Sequence, residues 1–132
     1  MIVLDTHALI WWVSDDERLS PPAAEAIKRE LGNDGQILVS AITPWEIAML
    51  LEKGRMALAM DLDEWLSAVE SIDCVSVVPI SPRVAVQSVR LPGEFHKDPA
   101  DRLIVALARE LNAPLLTADE KIQGYPHIKW IW

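Results

Sequence analysis

The sequence predicts an α/β domain built on a parallel sheet with helices over both faces, and three observations lead there. Short apolar runs of strand length alternate with longer segments that repeat at helical spacing. Those runs are almost continuously hydrophobic, as strands covered on both faces are, where a half-exposed strand would alternate. Most helical segments open on a capping side chain followed by proline. With 132 residues the chain is read as one domain, residues 1–132. No repeat, low-complexity tract or linker divides it.

Taken in order, residues 2–4 (IVL) form the first expected strand, 37–42 (ILVSAI) the second and 75–80 (VSVVPI) the third. Residues 115–117 (LLT) make a short fourth strand, and the tail 128–132 (IKWIW) adds a fifth. Helices are expected over 21–31, 44–52, 62–71, 82–90 and 99–111, with a shorter one near 7–13. Ser20-Pro21, Thr43-Pro44, Ser81-Pro82 and Asp98-Pro99 each place a capping side chain before a proline at the first helical position. Asp61 caps another helix, with Glu64 three residues on. Gly54 ends the helix before it. Leu103, Ile104, Leu107 and Leu111 form one apolar stripe. The order is βα(α)βααβααβ(αβ), with right-handed crossovers.

Composition bounds the function. No apolar run approaches the roughly 20 residues that span a bilayer. The opening MIVLDTHALIWW lacks a basic leader segment and carries Asp5 early, so a secretory signal is not expected. The single cysteine, Cys74, has no internal partner and apolar neighbours; it reads as a small buried hydrophobe in a reducing, cytoplasmic setting. The net charge of −8 argues against a broad basic footprint for nucleic acid. An acidic excess gathered into a pocket and neutralised by metal ions would reconcile the two, as would a basic partner that covers it.

In open parallel sheets ligands bind beyond the carboxyl ends of the strands. Asp5 follows the first strand, Glu46 stands in the first turn of the helix after the second, and Asp119 follows the fourth. Asp98 and Asp101 open the helix leading into that fourth strand. These segments can meet at one sheet edge. Like charges so gathered must take up protons, pair with basic groups or bind cations. An all-oxygen cluster suits Mg²⁺ or Mn²⁺, the ions of phosphodiester hydrolysis. Each acid also has an ordinary explanation. Thr43-Pro-Trp-Glu46, Asp98-Pro-Ala-Asp101 and Thr117-Ala-Asp-Glu120 all fit capping boxes, and first-turn acids are favoured by the helix dipole. Lys97 and Arg102 stand near enough in sequence to neutralise them. Asp5 is the hardest to explain this way, since an acid ending a wholly apolar strand is costly unless it caps or binds.

The segments MIVLDTHALIWW, SAITPWEIAML, HKDPADRLIVALARE and PLLTADEKI, in this order, resemble PIN-domain proteins, and specifically VapC-type toxins. The resemblance spans nearly the whole chain. It implies a three-layer α/β/α fold with a parallel sheet of about five strands. It also implies Mg²⁺- or Mn²⁺-dependent endoribonuclease activity on RNA, pairing with a cognate VapB-type antitoxin, and homodimers. Carried over residue by residue, the family's acids match Asp5, Glu46, Asp101 and Asp119 as catalytic and metal-ligating groups, with Asp98 a neighbour that also ligates metal. Thr6 and Thr117 stand where the family often has small hydroxyl residues that support the acids.

His7, His96 and His127 have no zinc spacing. His7 and His96 flank the acids, where helix-surface and capping roles compete with substrate contact. Trp11, Trp12, Trp45 and Trp65 read as core or oligomer contacts ahead of base stacking. Lys53 and Arg55 read as a solvated turn, with contact to RNA phosphates or the antitoxin as a second reading. A phospho-accepting receiver would need an acid after the third strand, which ends VVPISP, and a haloacid-dehalogenase-like phosphatase would need Asp-x-Asp where Asp5-Thr6-His7 stands. A catalytically inactive α/β interaction module is the remaining alternative.

Overall fold

A computed structural model describes all residues, 1–132. Its elements are β1 (Ile2–Leu4), α1 (Thr6–Val13), α2 (Pro21–Gly32), β2 (Ile37–Ser40), α3 (Ile42–Glu52), α4 (Leu62–Glu70), β3 (Val75–Val78), α5 (Pro82–Val89), α6 (Pro99–Glu110), β4 (Leu115–Leu116), α7 (Glu120–Gln123) and β5 (Trp130–Ile131). The strands form one parallel sheet in the order β3-β2-β1-β4-β5. This is the element order and the parallel sheet expected from the sequence. No helix is long and apolar enough to cross a membrane.

Alternation along the short strands divides the core into two. Ile2, Leu4, Ile37, Val39 and Leu116 face a layer built from α1, α2, α3 and α4, where Ala23, Ile27, Ile47, Trp65 and Val69 are buried. Val3, Leu38 and Leu115 point the other way, against Val84 of α5, the buried face of α6 and Ile122 of α7. Both faces of β1 and β2 are thus covered, which explains their unbroken apolar sequence. In the predicted stripe of α6, Ile104 and Leu107 are buried while Leu103 and Leu111 pack at its margin.

Four of the five predicted caps form. Ser20 accepts from the Ala23 N–H at 3.2 Å, Ser81 from Val84 at 3.1 Å, Asp61 from Asp63 at 3.1 Å and Asp98 from Asp101 at 3.2 Å. Thr43 does not cap. Helix α3 begins one residue before it, at Ile42, after Ala41, and the Ile42 N–H is met by Ser40 Oγ at 3.2 Å. The second strand therefore ends at Ser40, short of the predicted 42, because the chain has already turned into the helix. The third strand likewise stops at Val78, ahead of the prediction's Ile80. Gly54 ends α3 in the left-handed region, with φ of +67°, and its N–H donates to the Leu51 carbonyl at 3.1 Å. Cys74 is half-buried beside the first core, more open than its neighbours suggested, with φ of +71°.

Candidate active site

The carboxyl ends of β1, β2 and β4 open on a pocket of about 420 Å³ lined by Asp5, Glu46, Asp98, Asp101 and Asp119. Five acids spread over more than a hundred residues of sequence therefore share one small volume. Helix and strand ends place them: Asp5 is the residue between β1 and α1, Asp98 precedes α6, Asp101 stands in its first turn, and Asp119 precedes α7.

Each acid is held differently. Asp5 is only 7% exposed. Its Oδ1 accepts from the Ala8 N–H at 2.8 Å. Burial pushes its carboxyl above the ordinary range, against the lowering influence of the Thr117 hydroxyl and the Ala8 N–H. Asp119 caps α7 through the Lys121 N–H at 2.8 Å, and its own N–H donates to Thr117 Oγ1 at 3.1 Å. Thr117, with no exposure, thus braces two acids at once. The box read at Thr117–Glu120 is shifted, since Asp119 does the capping.

Glu46 departs furthest from the capping reading. It lies in the second turn of α3, not the first, and no backbone N–H is its partner. Its Oε1 accepts from Thr6 Oγ1 at 2.7 Å. Thr6 Oγ1 also lies 3.0 Å from Thr43 Oγ1, which is fully buried. A hydroxyl has one proton, and that of Thr6 goes to the carboxylate, so Thr43 must donate to Thr6. The chain Thr43–Thr6–Glu46 fixes the glutamate from behind. Thr43 was absent from the predicted site because its proline neighbour suggested a cap; its position three residues before Glu46 on one helix was the available signal.

Asp101 is strongly perturbed as well. Burial first, and then the charges of Asp98, Asp119, Glu46 and Asp5, push its carboxyl up to about 7. The same four acids singled out in the sequence are the ones that act on it. His96 Nε2 lies 3.1 Å from Asp101 Oδ2 but makes no aligned hydrogen bond there. No lysine or arginine neutralises it. Lys97 forms no ion pair. Arg102 turns away, donating to the carbonyls of Ser88 at 2.7 Å, Phe95 at 3.0 Å, His96 at 3.2 Å and Val89 at 3.3 Å. It fastens the loop before α6 to the end of α5 and leaves the acids uncompensated.

Such a set fits a hard divalent cation: oxygen donors only, an excess of negative charge, and two carboxyls displaced upward in its absence. No three acidic, imidazole or thiol side chains close on a common point. The carboxylates line one pocket without closing on a point, an arrangement that suits an ion retaining much of its water, as Mg²⁺ does. Of the histidines, His7 lines the pocket and His96 faces Asp101, whereas His127 lies at the opposite end of α6. Trp65 is buried and Trp12 packs against the core, as read; Trp45 is 54% exposed; Trp11 lines the acidic pocket.

The family model described as the PIN domain matches residues 2–128. The chain belongs to the PIN-domain family. Among relatives of this PIN domain, Ribonuclease VapC22 of Mycobacterium tuberculosis (strain ATCC 25618 / H37Rv) is 37% identical over 126 residues, 96% of this chain and 92% of that protein. Many solved structures share the fold, and two serve as examples. One is VapBC2 from Rickettsia felis bound to a DNA fragment from its promoter, with a TM-score of 0.68 at 18% identity over 98% of this chain and 97% of that one. The other is VapC20 of Mycobacterium tuberculosis, described as a sarcin–ricin loop cleaving toxin, with a TM-score of 0.61 at 16% identity over 98% and 99%. The three-layer PIN fold expected from the sequence is the fold found.

Proposed function

We propose that this PIN domain is an endoribonuclease that hydrolyses RNA phosphodiester bonds with Mg²⁺ or Mn²⁺, and that it is the toxin of a VapBC-type pair. The observation that carries the reading is the convergence of Asp5, Glu46, Asp98, Asp101 and Asp119 on one pocket with no lysine or arginine paired to them. Its 37% identity to a ribonuclease of the VapC type supports the substrate class. A VapB-type antitoxin and a second copy of the chain are the proposed protein partners.

Asp5, Glu46, Asp101 and Asp119 would hold the ion, with Asp98 at the rim. When bound, a divalent cation supplies positive charge against the phosphate and lowers the pKa of water. The residues of the chain do the rest. Thr117 and the Ala8 N–H keep Asp5 aimed into the pocket, and Thr6, backed by Thr43, keeps Glu46 there. With its carboxyl pushed up to about 7, Asp101 would be partly protonated near neutral pH, and holding a cation would favour its ionised form. Asp98 is exposed whereas Asp101 is half-buried, which supports Asp98 as the weaker ligand of the pair.

Cleavage of RNA by the purified chain in Mg²⁺ or Mn²⁺, with end-group analysis, tests this. Water as nucleophile gives 5′-phosphate and 3′-hydroxyl ends, and EDTA stops the reaction. Cyclic 2′,3′-phosphate ends formed in EDTA would overturn it. No cleavage in either ion would leave the inactive interaction module.

A further inference from the structure

The acidic pocket has an aromatic wall. Of the residues lining it, only Trp11 and Ala118 are hydrophobic. Trp11 is one turn after His7 on α1 and also borders a larger, mainly apolar groove of about 570 Å³ that leads away from the acids. Its indole stands at the junction of the two.

The ring is braced from several sides, by two tilted ring contacts and by Arg18 over one face. The His7 ring centre is 5.7 Å away at 50°, and that of Trp132 is 5.7 Å away at 57°. The Arg18 guanidinium carbon lies 4.9 Å from the indole centre. Arg18 is itself fixed, donating from Nε to Asp16 Oδ1 at 3.0 Å and from Nη2 to Asp16 Oδ2 at 2.8 Å. A half-buried indole held this firmly beside hydrolytic carboxylates has little conformational freedom left to lose when a flat ligand arrives.

We propose that Trp11 is the stacking platform for a nucleobase next to the scissile phosphate of single-stranded RNA. This rests on the nuclease reading, which seats the phosphate among the carboxylates. The adjoining base then needs a surface that carries no negative charge. Carboxylates repel its neighbouring phosphates and offer its faces nothing, whereas an indole face accepts any base. Trp11 is the one large apolar side chain that reaches the pocket. The platform also gives an acidic chain a means of holding RNA that does not depend on a basic surface.

Binding and cleavage test it separately. The Asp119→Asn chain, expected to hold RNA uncut, is titrated with a fluorescein-labelled single-stranded octaribonucleotide in Mg²⁺, and binding is read by anisotropy. On that background Trp11→Phe should bind within about threefold of the parent, while Trp11→Leu and Trp11→Ala should bind about 5- to 150-fold more weakly. Octamers with one abasic nucleotide moved along the strand should lose affinity for the Trp11 chain at one position, and for Trp11→Leu that loss should vanish. The Leu variant keeps apolar volume, so it serves if Trp11→Ala fails to fold. Equal binding by the Phe and Leu variants, or no abasic position that depends on Trp11, overturns the platform. A wild-type chain that cleaves with kcat/KM unmoved by Trp11→Leu overturns the platform alone. Trp11-dependent binding without cleavage by the wild type overturns the nuclease reading and leaves Trp11 as a base-stacking site with no scissile phosphate beside it. No RNA binding by any chain overturns both.

Discussion

The two ends of α6 carry charge in opposite ways. At its amino end Asp98 and Asp101 meet Asp5, Glu46 and Asp119 with no lysine or arginine to balance them. At its carboxyl end Arg109 donates to the His127 carbonyl and Lys129 Nζ to Asn112 Oδ1 at 3.0 Å, while Arg83 and Glu110 pair at 2.8 Å. Helix-dipole preference favours acids at one end and bases at the other, so sign alone separates nothing. What separates the ends is satisfaction. Charges at the carboxyl end have local partners and are explained by the fold. At the amino end burial, and then the crowding of like charges, raise Asp101 to about 7, an arrangement that folding alone would not favour.

The strongest way to break this contrast is to neutralise one acid. Asp101→Asn should lower kcat/KM for RNA by at least about two orders of magnitude with the fold intact by circular dichroism, and Asp5→Asn should do the same. Asp98→Asn should cost less than Asp101→Asn, because Asp98 is exposed at the pocket rim while Asp5 and Asp101 lie deeper. Equal, large losses at positions 98 and 101 would put both acids in the ion's shell. Full activity in Asp101→Asn would leave the amino end as structural as the other.

Thermal melts sharpen it next. Ions that bind the native site alone stabilise it by about 2.7 kcal/mol at a hundred times their dissociation constant. Mg²⁺ or Mn²⁺ should therefore raise the Tm of the wild type, and Asp101→Asn should blunt the rise. In EDTA above pH 7 the order reverses, and Asp101→Asn should melt above wild type, since it removes a charge that burial and its neighbours disfavour. The same melts in EDTA carry a pH signature. A carboxyl raised from 3.8 to about 7 by folding binds more protons in the native state than in the unfolded one. Its contribution is therefore fully present below pH 4 and is lost as pH rises towards 7. Wild-type Tm should carry a falling component across that interval that Asp101→Asn lacks. Identical pH profiles for the two chains would mean that Asp101 is not strained by its neighbours.

How far the sequence reaches depends on whether the decisive contact is local. Caps at Ser20, Asp61, Ser81 and Asp98 were legible because cap and partner lie two or three residues apart. The convergence of acids was legible because strand ends in a parallel sheet share an edge, whatever the details. Thr43 was misread for the opposite reason. Its partner Thr6 is 37 residues away, and only the packing of α1 against α3 brings them together. The extended reading of the second strand failed where Ile42, apolar enough for a strand, packs against the second core from a helix. Arg102 was expected among the acids, but its four acceptors lie in the 88–96 segment, whose course no local rule fixes. Trp11 and Trp65 look alike in sequence and end in a pocket wall and a core.

Smaller effects test the support behind the acids. Thr6→Val removes the donor to Glu46 and should lower kcat/KM by about 10- to 100-fold, the range for groups that orient metal ligands. Thr43→Val keeps the volume and removes only the donor to Thr6, so about tenfold or less is expected, with about 1 kcal/mol of stability. Metal affinity, read by calorimetry, should weaken in the same order. An effect of Thr43→Val as large as that of Thr6→Val would mean that the buried hydroxyl pair acts as one unit.

The smallest expected effect completes the comparison from its other end. Arg109→Ala removes a hydrogen bond to the His127 carbonyl at an exposed helix end. About 1 kcal/mol of stability should go with it, and less if water replaces the guanidinium at that carbonyl. Because Arg109 stands a whole helix length from the acids, kcat/KM for RNA should stay within about twofold of wild type, and the Mg²⁺-induced rise in Tm should be unchanged. Arg109, His127 and Lys129 do, however, border a second cavity of about 390 Å³, and they are cationic or potentially so in a chain of net charge −8. If Arg109→Ala raised KM severalfold, and if the salt dependence of KM became shallower in the variant, this end would be touching phosphate. Local satisfaction of charge would then no longer distinguish structure from function, and the contrast between the two ends of α6 would fail.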